Sequence, residues 1–420
     1  MRGAPPAPWM MRPLAATLLN LVTSPLIPHT SHNSCHHPSM SSNPSNWRIP
    51  GLPEQGPWQV LGLMSGTSAD GVDAALVEVD PQGFQGDLPF RALLAHRHEP
   101  YPAKLREAVM EAAADRLRPS EITVLQRRLG NHHAQAAERL VKESRISPHL
   151  ASLHGQTIQH QPRDGATLQL ADPYVLCETL QCPVVFDLRR RDMALGGQGA
   201  PLVTLTELWL RGRAEPWAAL NLGGIANITV WDRDYLRAWD VGPGMSLLDL
   251  AAEKWLGIPF DPDGAHASGK VDEALLTRWM AHPYFSAAPP KSTGRETFGS
   301  AWLQAESASL ESLPLPDRLA TLAAFTAQSV ASEMHRLDPL PTGLRGLASG
   351  GGARHLRLRQ ELATRFSELP FAEDHQFPSG AREAVSWALL GAASACGVAG
   401  NVPEVTGASR AAVLGAWVLP

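Results

Sequence analysis

Residues 62–73 read Gly-Leu-Met-Ser-Gly-Thr-Ser-Ala-Asp-Gly-Val-Asp and combine residue types that can bind a phosphate group. Apolar, strand-like runs at 58–63 and 72–79 flank this stretch and predict a β-hairpin. Its tip would carry glycines and hydroxyl side chains, namely Gly66, Thr67, Ser68 and Gly71. Glycines allow close backbone approach, and free N–H and hydroxyl groups can surround an anion. An ordinary tight turn has a similar composition.

Two acidic residues in the same stretch, Asp70 and Asp73, would repel a bare phosphate. We therefore expect a bridging cation or a sugar hydroxyl beside them. Asp70 is the candidate protein ligand for a Mg²⁺ ion that arrives with a nucleotide.

Asp240 is the candidate catalytic carboxylate. It ends an apolar strand and is followed by Gly242, Pro243 and Gly244, with a helix predicted from Met245. A helix N-terminus attracts phosphate, and glycines let the phosphate come near. This position suits Asp240 as a general base or as a partner of Mg²⁺. The structural alternative is an aspartate that merely closes a strand-to-helix turn.

Further polar segments could bind other parts of a ligand. The triple glycine Gly350, Gly351 and Gly352 lies between a strand and a helix, where it could form a flat surface for a purine base. His154, Gln156 and Thr157 follow a strand and could read sugar hydroxyls, although a single histidine there is more often structural.

Charged residues near position 190 could bind a substrate carboxylate. Asp187 precedes the three arginines Arg189, Arg190 and Arg191, one of which could form a two-pronged pair with such a group. A solvated surface is the alternative for a charged run. The loop at 291–295, Lys-Ser-Thr-Gly-Arg, is equally ambiguous, and Glu383 opens a long helix.

The elements that must position these residues alternate between strands and helices. Apolar runs at 150–153, 184–187, 218–222 and 344–349 predict strands, and 3.6-residue periodicity predicts helices at 121–144, 202–211, 317–337 and 381–396. This alternation predicts an α/β fold with largely buried sheets. The segment 219–230 repeats the glycine hairpin of 60–79, which suggests two similar domains facing one cleft.

The expected domain boundaries follow from changes in composition. Residues 1–57 are rich in Pro, Ser, Asn and His and are predicted to be a disordered leader or a misassigned start. An N-terminal domain would span 58–187 and a C-terminal domain 188–400, with 400–420 returning to the first. The glycines and proline of 187–201 should interrupt regular structure at the link.

Composition excludes several classes of function. The chain has 420 residues, a net charge of −5 and no basic block, so nucleic acid is not an expected partner. The apolar run at 14–26 is too short to cross a bilayer, and no membrane partner is expected. Four cysteines without metal or disulfide spacing favour reduced thiols in a cytoplasmic protein.

Taken in order, the motifs resemble those of the anhydro-N-acetylmuramic acid kinase family. The resemblance covers about 58–420 and rests on nine segments in register: 62–73, 152–157, 187–201, 221–227, 240–244, 263–265, 290–296, 349–352 and Glu383. Ala69 departs from the family, which usually has a larger apolar residue in this loop.

The resemblance implies a two-domain actin-like sugar-kinase fold with ATP and sugar bound in the cleft between the domains. It implies ATP phosphates at 66–73, which includes Ala69 and Val72, and Mg²⁺ bound through ATP. Gly223, Gly224 and Asn227 join the expected ATP site, with Gly350–Gly352 near the adenosine. Asp240 matches the catalytic base. The sugar would contact His154, Gln156, Thr157, Asp187, Arg189 and Glu383, and a homodimer is a candidate assembly.

Family members open the 1,6-anhydro bridge of 1,6-anhydro-N-acetylmuramic acid with water and phosphorylate O6. A single base suffices, because O6 in the bridged acetal carries no proton, and attack of an activated water at C1 would release O6 as a nucleophile. Two alternatives remain: a conventional sugar kinase acting on a free hydroxyl, and an actin-like nucleotide switch that binds a protein.

Overall fold

A computed structural model describes residues 49–66, 68–86, 88–289, 291–378 and 380–420. The strands are β1 Trp58–Ser65, β2 Gly71–Val79, β3 Phe90–Pro100, β4 Leu150–Gln161, β5 Ala166–Leu170, β6 Val184–Phe186, β7 Trp217–Leu222, β8 Ile225–Trp231, β9 Leu236–Pro243, β10 Arg345–Ser349, β11 Phe371–Glu373 and β12 Ala416–Val418. They form two separate sheets within one α/β architecture, so the expected fold class is confirmed.

The helices cover these sheets. They are α1 Gly83–Gly86, α2 Ala103–Ala113, α3 Pro119–Ser144, α4 Pro173–Leu180, α5 Leu188–Ala194, α6 Val203–Arg211, α7 Ser246–Leu256, α8 Glu273–Met280, α9 Pro283–Ser286, α10 Ser300–Glu311, α11 Leu315–His335, α12 Leu356–Arg365, α13 Ala381–Ala395 and α14 Pro403–Thr406. The four long helices and the four strands expected from periodicity are all present. No helix in the described ranges has the length and apolarity needed to cross a membrane.

The first sheet has the order β12-β6-β4-β1-β2-β3, with β5 paired to β4. The predicted hairpin is present, since β1 and β2 pair antiparallel from Trp58 opposite Val79 to Met64 opposite Asp73. β1, β4 and β6 run parallel to one another, which places the ends of these three strands along one edge. The C-terminal strand β12 pairs with β6.

The second sheet has the order β11-β10-β7-β8-β9. β7, β8 and β9 form an antiparallel meander, and β10 and β11 add in parallel. The hairpin β7–β8 is the second glycine hairpin expected from the sequence. Both sheets therefore begin with a hairpin whose turn carries glycines.

Helix α13 packs directly on the first sheet because glycines remove the side chains between them. A Cβ at Gly62 of β1 would lie 2.7 Å from the Ala388 nitrogen, and one at Gly391 would lie 2.5 Å from the Ser152 Cβ. Both contacts are too short for a side chain, so these glycines fix the depth of α13. The first turn of this helix is thereby held at the end of the sheet.

The segment 187–201 is irregular at its glycines and proline but begins with a helix. Helix α5 occupies Leu188–Ala194, and the irregular stretch begins only afterwards. The buried Asp192 explains this ordering, because it accepts hydrogen bonds from the Gly199 N–H (2.8 Å), the Asn401 amide (2.7 Å) and the Thr406 hydroxyl (2.7 Å). One buried carboxylate thus joins the loop to the C-terminal segment.

The predicted leader, 1–57, falls largely outside the described residues. Within its last part, Ile49 is 8% exposed and belongs to the apolar cluster that includes Trp58. The Trp58 indole N–H also donates to the Pro53 carbonyl at 3.0 Å. Residues 49–53 therefore pack against the folded body. The other proposed boundaries, at 187/188 and 400, stay predictions.

Candidate active site

A cavity of about 520 Å³ lies between elements of the two sheets. Residues from β2 and the start of α13 form one wall: Asp73, Gly380, Arg382, Glu383 and Ser386. Strands β7, β8 and β10 and their turns form the other: Ala219, Asn221, Gly223, Asn227, Thr229, Ser349, Gly350, Ala353 and Arg354. Val203, Glu207 and the segment 373–378 complete the lining, except for Gln376. Several residues predicted for ATP and sugar thus share one cavity.

A row of polar residues crosses the second sheet at this cavity. Ser349 pairs with Asn221, Asn221 with Asn227, and Asn227 with Asp240. Directly paired residues on neighbouring strands point to the same face of a sheet. The first three line the cavity, so Asp240 ends the row on the cavity face.

The Asp240 carboxylate is held by one backbone donor. Its Oδ2 accepts the Thr293 N–H at 3.0 Å. Burial raises the pKa of Asp240 to about 6, against the opposing effect of the Thr293 bond, and the nearby negative charge of Glu296 raises it further. A carboxyl group with a pKa near neutrality is suited to accept a proton during catalysis.

The loop that carries Thr293 is anchored at Lys291. The Lys291 ammonium donates to Glu333 Oε1 at 2.7 Å and to the Tyr284 carbonyl at 3.0 Å. Glu333 is fully buried on α11 and also accepts the Trp239 indole N–H at 3.0 Å. The Lys291 carbonyl in turn accepts the Asp240 N–H at 3.1 Å. A buried ion pair therefore fixes the loop against β9, the strand that carries Asp240.

Arg189, which is half-buried, and Glu383, which is exposed and lines the cavity, carry opposite charges without a direct ion pair, as far as the described residues show. Burial lowers the pKa of Arg189 to about 10, an effect that Glu383 opposes. Desolvation by the surrounding protein raises the pKa of Glu383, with Arg189 acting in the other direction and Asp73 and Asp70 adding to the rise. A polar ligand between the two opposite charges could pair with both.

His154 supports Arg189 rather than facing the cavity. The Arg189 Nε–H donates to His154 Nε2 at 3.0 Å, and the His154 Nδ1–H donates to the Gly155 carbonyl at 2.7 Å. Burial and the adjacent guanidinium hold the pKa of His154 well below its usual value. The neutral imidazole and the Gly199 carbonyl, 2.7 Å from Arg189 Nη1, fix the guanidinium, which lies over the Trp387 ring.

The turn between β1 and β2 is braced from within the first sheet. The Gln156 amide donates to the Gly66 carbonyl at 3.0 Å, and the Asp70 carbonyl accepts the Tyr101 N–H at 3.0 Å. The Ser68 hydroxyl donates to Asp70 Oδ1 at 2.9 Å, and both side chains are exposed. Thr67, also predicted for ATP, lies outside the described residues.

Other members of this turn have structural roles. Ala69 is 1% exposed with φ 52°, and Val72 is buried in the strand. A Cβ at Gly71 would lie 2.8 Å from the Pro100 Cα, so this glycine is required for strand packing. At Gly66, by contrast, the nearest atom would be the Ser68 hydroxyl at 3.5 Å. Gly66 therefore has space beside it that a ligand could use.

The helix N-terminus expected to be open after Asp240 is partly closed. The N–H groups of Gly244, Met245 and Ser246 donate to the carbonyls of Gly223 and Gly224 at 2.7–3.0 Å. These donors are the ones that would otherwise face a phosphate. Gly244 is buried against the Gly223–Gly224 turn, and Gly242 has φ 149° and packs on α9 and α11. These two glycines shape the turn instead of lining the cavity.

The triple glycine divides between packing and open surface. A Cβ at Gly350 would lie 2.7 Å from the Leu222 carbonyl, and one at Gly352 would lie 2.8 Å from the Leu222 Cβ. Gly351 has open space and is exposed. Gly350 lines the cavity, so part of the segment predicted for adenosine lies where a ligand could reach it.

Three residues predicted to contact the sugar are engaged elsewhere. Gln156 is 1% exposed, and its amide is used by the Gly66 and Thr157 carbonyls. The Thr157 hydroxyl accepts from Gln169 at 3.3 Å. Asp187 forms an ion pair with Arg190 at 2.7 Å. Their sugar contacts stay predictions, since sequence gives the polar character of a residue but not the partner that satisfies it.

Sequence analysis missed an ionic cluster at the cavity. Arg382 donates to Glu207 Oε1 at 2.9 Å and also contacts Asp374, while Arg211 contacts Glu207 at 2.9 Å and Asp374 at 2.5 Å. Glu207 and Arg211 are four residues apart in an otherwise apolar helix, and that spacing is a signal for a pair. No local pattern connects them to Asp374 or Arg382.

Comparison with known proteins gives a consistent set of relatives. The family model described as anhydro-N-acetylmuramic acid kinase matches residues 58–420. The enzyme of that name from Parasynechococcus marenigrum (strain WH8102) is 42% identical over 382 residues, covering 86% of this chain and 99% of its own. The one from Synechococcus elongatus (strain ATCC 33912 / PCC 7942 / FACHB-805) is 40% identical over 378 residues, covering 85% and 98%.

Two solved structures show some similarity to this chain. A ROK hexokinase from Thermus thermophilus has a TM-score of 0.33 and 17% identity, covering 79% of this chain and 96% of that one. An activator of 2-hydroxyisocaproyl-CoA dehydratase from Clostridium difficile with bound ADPNP has a TM-score of 0.40 and 10% identity, covering 80% and 95%.

Proposed function

The chain belongs to the anhydro-N-acetylmuramic acid kinase family and is an enzyme of this kind, and from that premise we propose its reaction and the residues that perform it. It would open the 1,6-anhydro ring of 1,6-anhydro-N-acetylmuramic acid with water and transfer the ATP γ-phosphoryl group to O6. The products would be N-acetylmuramic acid 6-phosphate and ADP, in cytoplasmic recycling of peptidoglycan.

The proposed binding mode assigns the two ligands to different parts of the cavity region. ATP phosphates would approach the Gly66 turn, which has open space, and the adenosine would lie near Gly350 and Gly351. The sugar would sit between Arg189 and Glu383, whose opposite charges have no direct ion pair with each other in the described residues. Hydroxyl, amide and carboxylate groups of the sugar could then pair with both.

Asp240 is the proposed general base. O6 of the bridged sugar is bonded to C1 and carries no proton, so the proton to be removed belongs to the attacking water. Asp240 would accept it as the water oxygen bonds to C1. The C1–O6 bond then breaks, and its electron pair on O6 attacks the γ-phosphorus. The bond from that phosphorus to the β-phosphate bridging oxygen breaks and releases ADP.

Mg²⁺ is expected to arrive with ATP. The exposed Asp70 carboxylate and the adjacent Ser68 hydroxyl supply hard oxygen donors of the kind this ion prefers, so the turn fits the ion. When bound, Mg²⁺ would neutralise phosphate charge. Asp70 would orient it through a carboxylate oxygen, and Gly66 would leave the space that the phosphates need.

The raised pKa of Asp240, to about 6, is the observation that best supports this proposal. A conventional aspartate would be ionised but weakly basic at neutral pH, whereas a base with a pKa near the working pH is more effective. The anchored loop and the polar row place that carboxylate on the cavity face.

The test is ADP release measured with 1,6-anhydro-N-acetylmuramic acid, with N-acetylmuramic acid, and with no sugar. We expect release that depends on the anhydro sugar, ¹⁸O from labelled water on C1 and none in the transferred phosphate. Water must attack opposite the bridge, so the first product should be the α-anomer in promptly recorded NMR spectra. Activity on the free hydroxyl alone would indicate a conventional kinase, and sugar-independent release of labelled phosphate would indicate a nucleotide switch.

A further inference from the structure

The loop 291–299 holds Arg295 in a fixed backbone position beside the proposed base. Two residues earlier, Thr293 donates its N–H to Asp240, and Lys291 is anchored on Glu333. After Arg295, the N–H groups of Thr297 and Phe298 donate to the Gly294 carbonyl at 3.1 Å and 3.0 Å, and Phe298 is fully buried. The backbone is therefore fixed on both sides of Arg295.

The Arg295 guanidinium lies against the glycine turn between β7 and β8. A Cβ at Gly224 would be 3.4 Å from Arg295 Nη2 and 3.6 Å from Nε. The adjacent Gly223 lines the cavity. The guanidinium thus rests on bare backbone at the cavity margin, close to the strand pair that presents Asn227 and Asp240.

Arg295 has no hydrogen bond or ion pair within the described part of the chain, unlike its neighbours in this region. Lys291 is neutralised by Glu333, and Arg189 is fixed by His154 and Gly199. Burial raises the pKa of Asp249 to about 6, and the charge of Arg295 opposes this rise without a direct contact between the two side chains. A positioned but unpaired guanidinium is available for an anion.

The proposed reaction indicates which anion. O6 must be within bonding reach of the γ-phosphorus when the Asp240-activated water attacks C1, so the γ-phosphoryl group passes close to the loop that carries Thr293 and Arg295. Its charge is spread over three equatorial oxygens during transfer. The planar fork of a guanidinium matches two such oxygens.

We propose that Arg295 binds the γ-phosphoryl group of ATP and stabilises it during transfer to O6. This inference rests on the proposed function, because it needs phosphoryl transfer beside Asp240. It assigns a catalytic contact to the loop that sequence analysis left ambiguous.

The test compares Arg295→Gln and Arg295→Lys with wild type and with Arg237→Gln, a charge-matched control at the far end of β9 whose arginine pairs with Asp232. Arg295→Gln should lower kcat by about 10²–10³-fold, the range found for removing one electrostatic donor from a transition state. It should weaken binding of the ATP analogue AMPPNP but leave ADP binding unchanged. Arg295→Lys should recover part of kcat, and the control should match wild type.

Two results would overturn the inference. One is an unchanged kcat in Arg295→Gln with an unchanged melting temperature. The other is a rise in the KM for 1,6-anhydro-N-acetylmuramic acid with no other kinetic change, if that rise is absent with 1,6-anhydro-N-acetylglucosamine, which lacks the lactyl carboxylate. Arg295 would then bind that carboxylate. ADP release by the wild-type protein that does not depend on the sugar would refute the proposed function instead.

Discussion

Asp240→Asn should separate catalysis from folding. Asparagine has nearly the same shape, and its carbonyl can still accept the Thr293 N–H that reaches Asp240 Oδ2 at 3.0 Å. It cannot accept the proton of the attacking water. We expect turnover to fall by about 10²–10⁴-fold, the usual contribution of a positioned general base. Binding of AMPPNP should be retained.

The same substitution should stabilise the protein above neutral pH. The folded-state pKa of Asp240 is raised from 3.8 to about 6, so the folded state holds the proton more tightly than the unfolded state. That contribution to stability is fully present below pH 3.8 and is lost as the pH rises through about 6. A difference of about 2 pKa units corresponds to at most about 3 kcal/mol. Asp240→Asn should therefore melt higher than wild type at pH 8 and lose this advantage near pH 4.

The assay is coupled ADP release from pH 5 to 8, with melting curves at the same pH values. For wild type, kcat/KM should rise with pH, with an apparent pKa near 6 in the free enzyme, and should fall about tenfold per unit well below it. Turnover within tenfold of wild type in Asp240→Asn would refute the assignment of the base. A variant less stable than wild type at pH 8 would refute the account of its burial.

Substitutions at three other positions test the turn, the loop anchor and the acid in the first turn of α13. Gly66→Val should leave the melting temperature unchanged, because there is space beside Gly66. It should weaken AMPPNP binding, measured by calorimetry, by about tenfold or more (about 1.4 kcal/mol). An equal loss of sugar binding would contradict this prediction. Lys291→Met should destabilise the fold by about 3 kcal/mol, because it leaves Glu333 buried without its closest cation. The double variant Lys291→Met/Glu333→Gln should recover stability in denaturant titrations but should not recover activity. Glu383→Gln should raise the sugar KM and leave the ATP KM unchanged in steady-state kinetics; the reverse pattern would assign Glu383 to the nucleotide.

The sequence predicted the architecture well because its signals are local. The hairpin β1–β2 follows from two apolar runs around a glycine turn, and the long helices follow from periodicity. Asp240 could be singled out since a carboxylate between a strand and glycines is unusual. The pKa of Asp240 could not be predicted from the sequence, because its shift depends on burial and on Thr293, which is 53 residues away.

Other parts of the site depend on partners that are distant in sequence. Gln156 has the right chemistry for a sugar contact, but the fold places its amide under the Gly66 turn, 90 residues away. Gly244 precedes a helix, yet a turn from another strand occupies its N–H. Local pattern identifies which groups can bind, whereas tertiary structure decides which remain free to do so.

The first turn of α13 brings several of these constraints together. Gly380 has φ 84°, and a Cβ there would lie 2.7 Å from Asp73 Oδ1. Helix α13 therefore begins directly against the β2 end of the turn between β1 and β2. Arg382 is held by Glu207, which lies on α6, and the next residue is Glu383. A displacement of either neighbour would therefore move the carboxylate proposed to hold the sugar. Because the same turn contacts Asp73 of β2 and Glu207 of α6, we expect the proposed positions of nucleotide and sugar to be linked through α13.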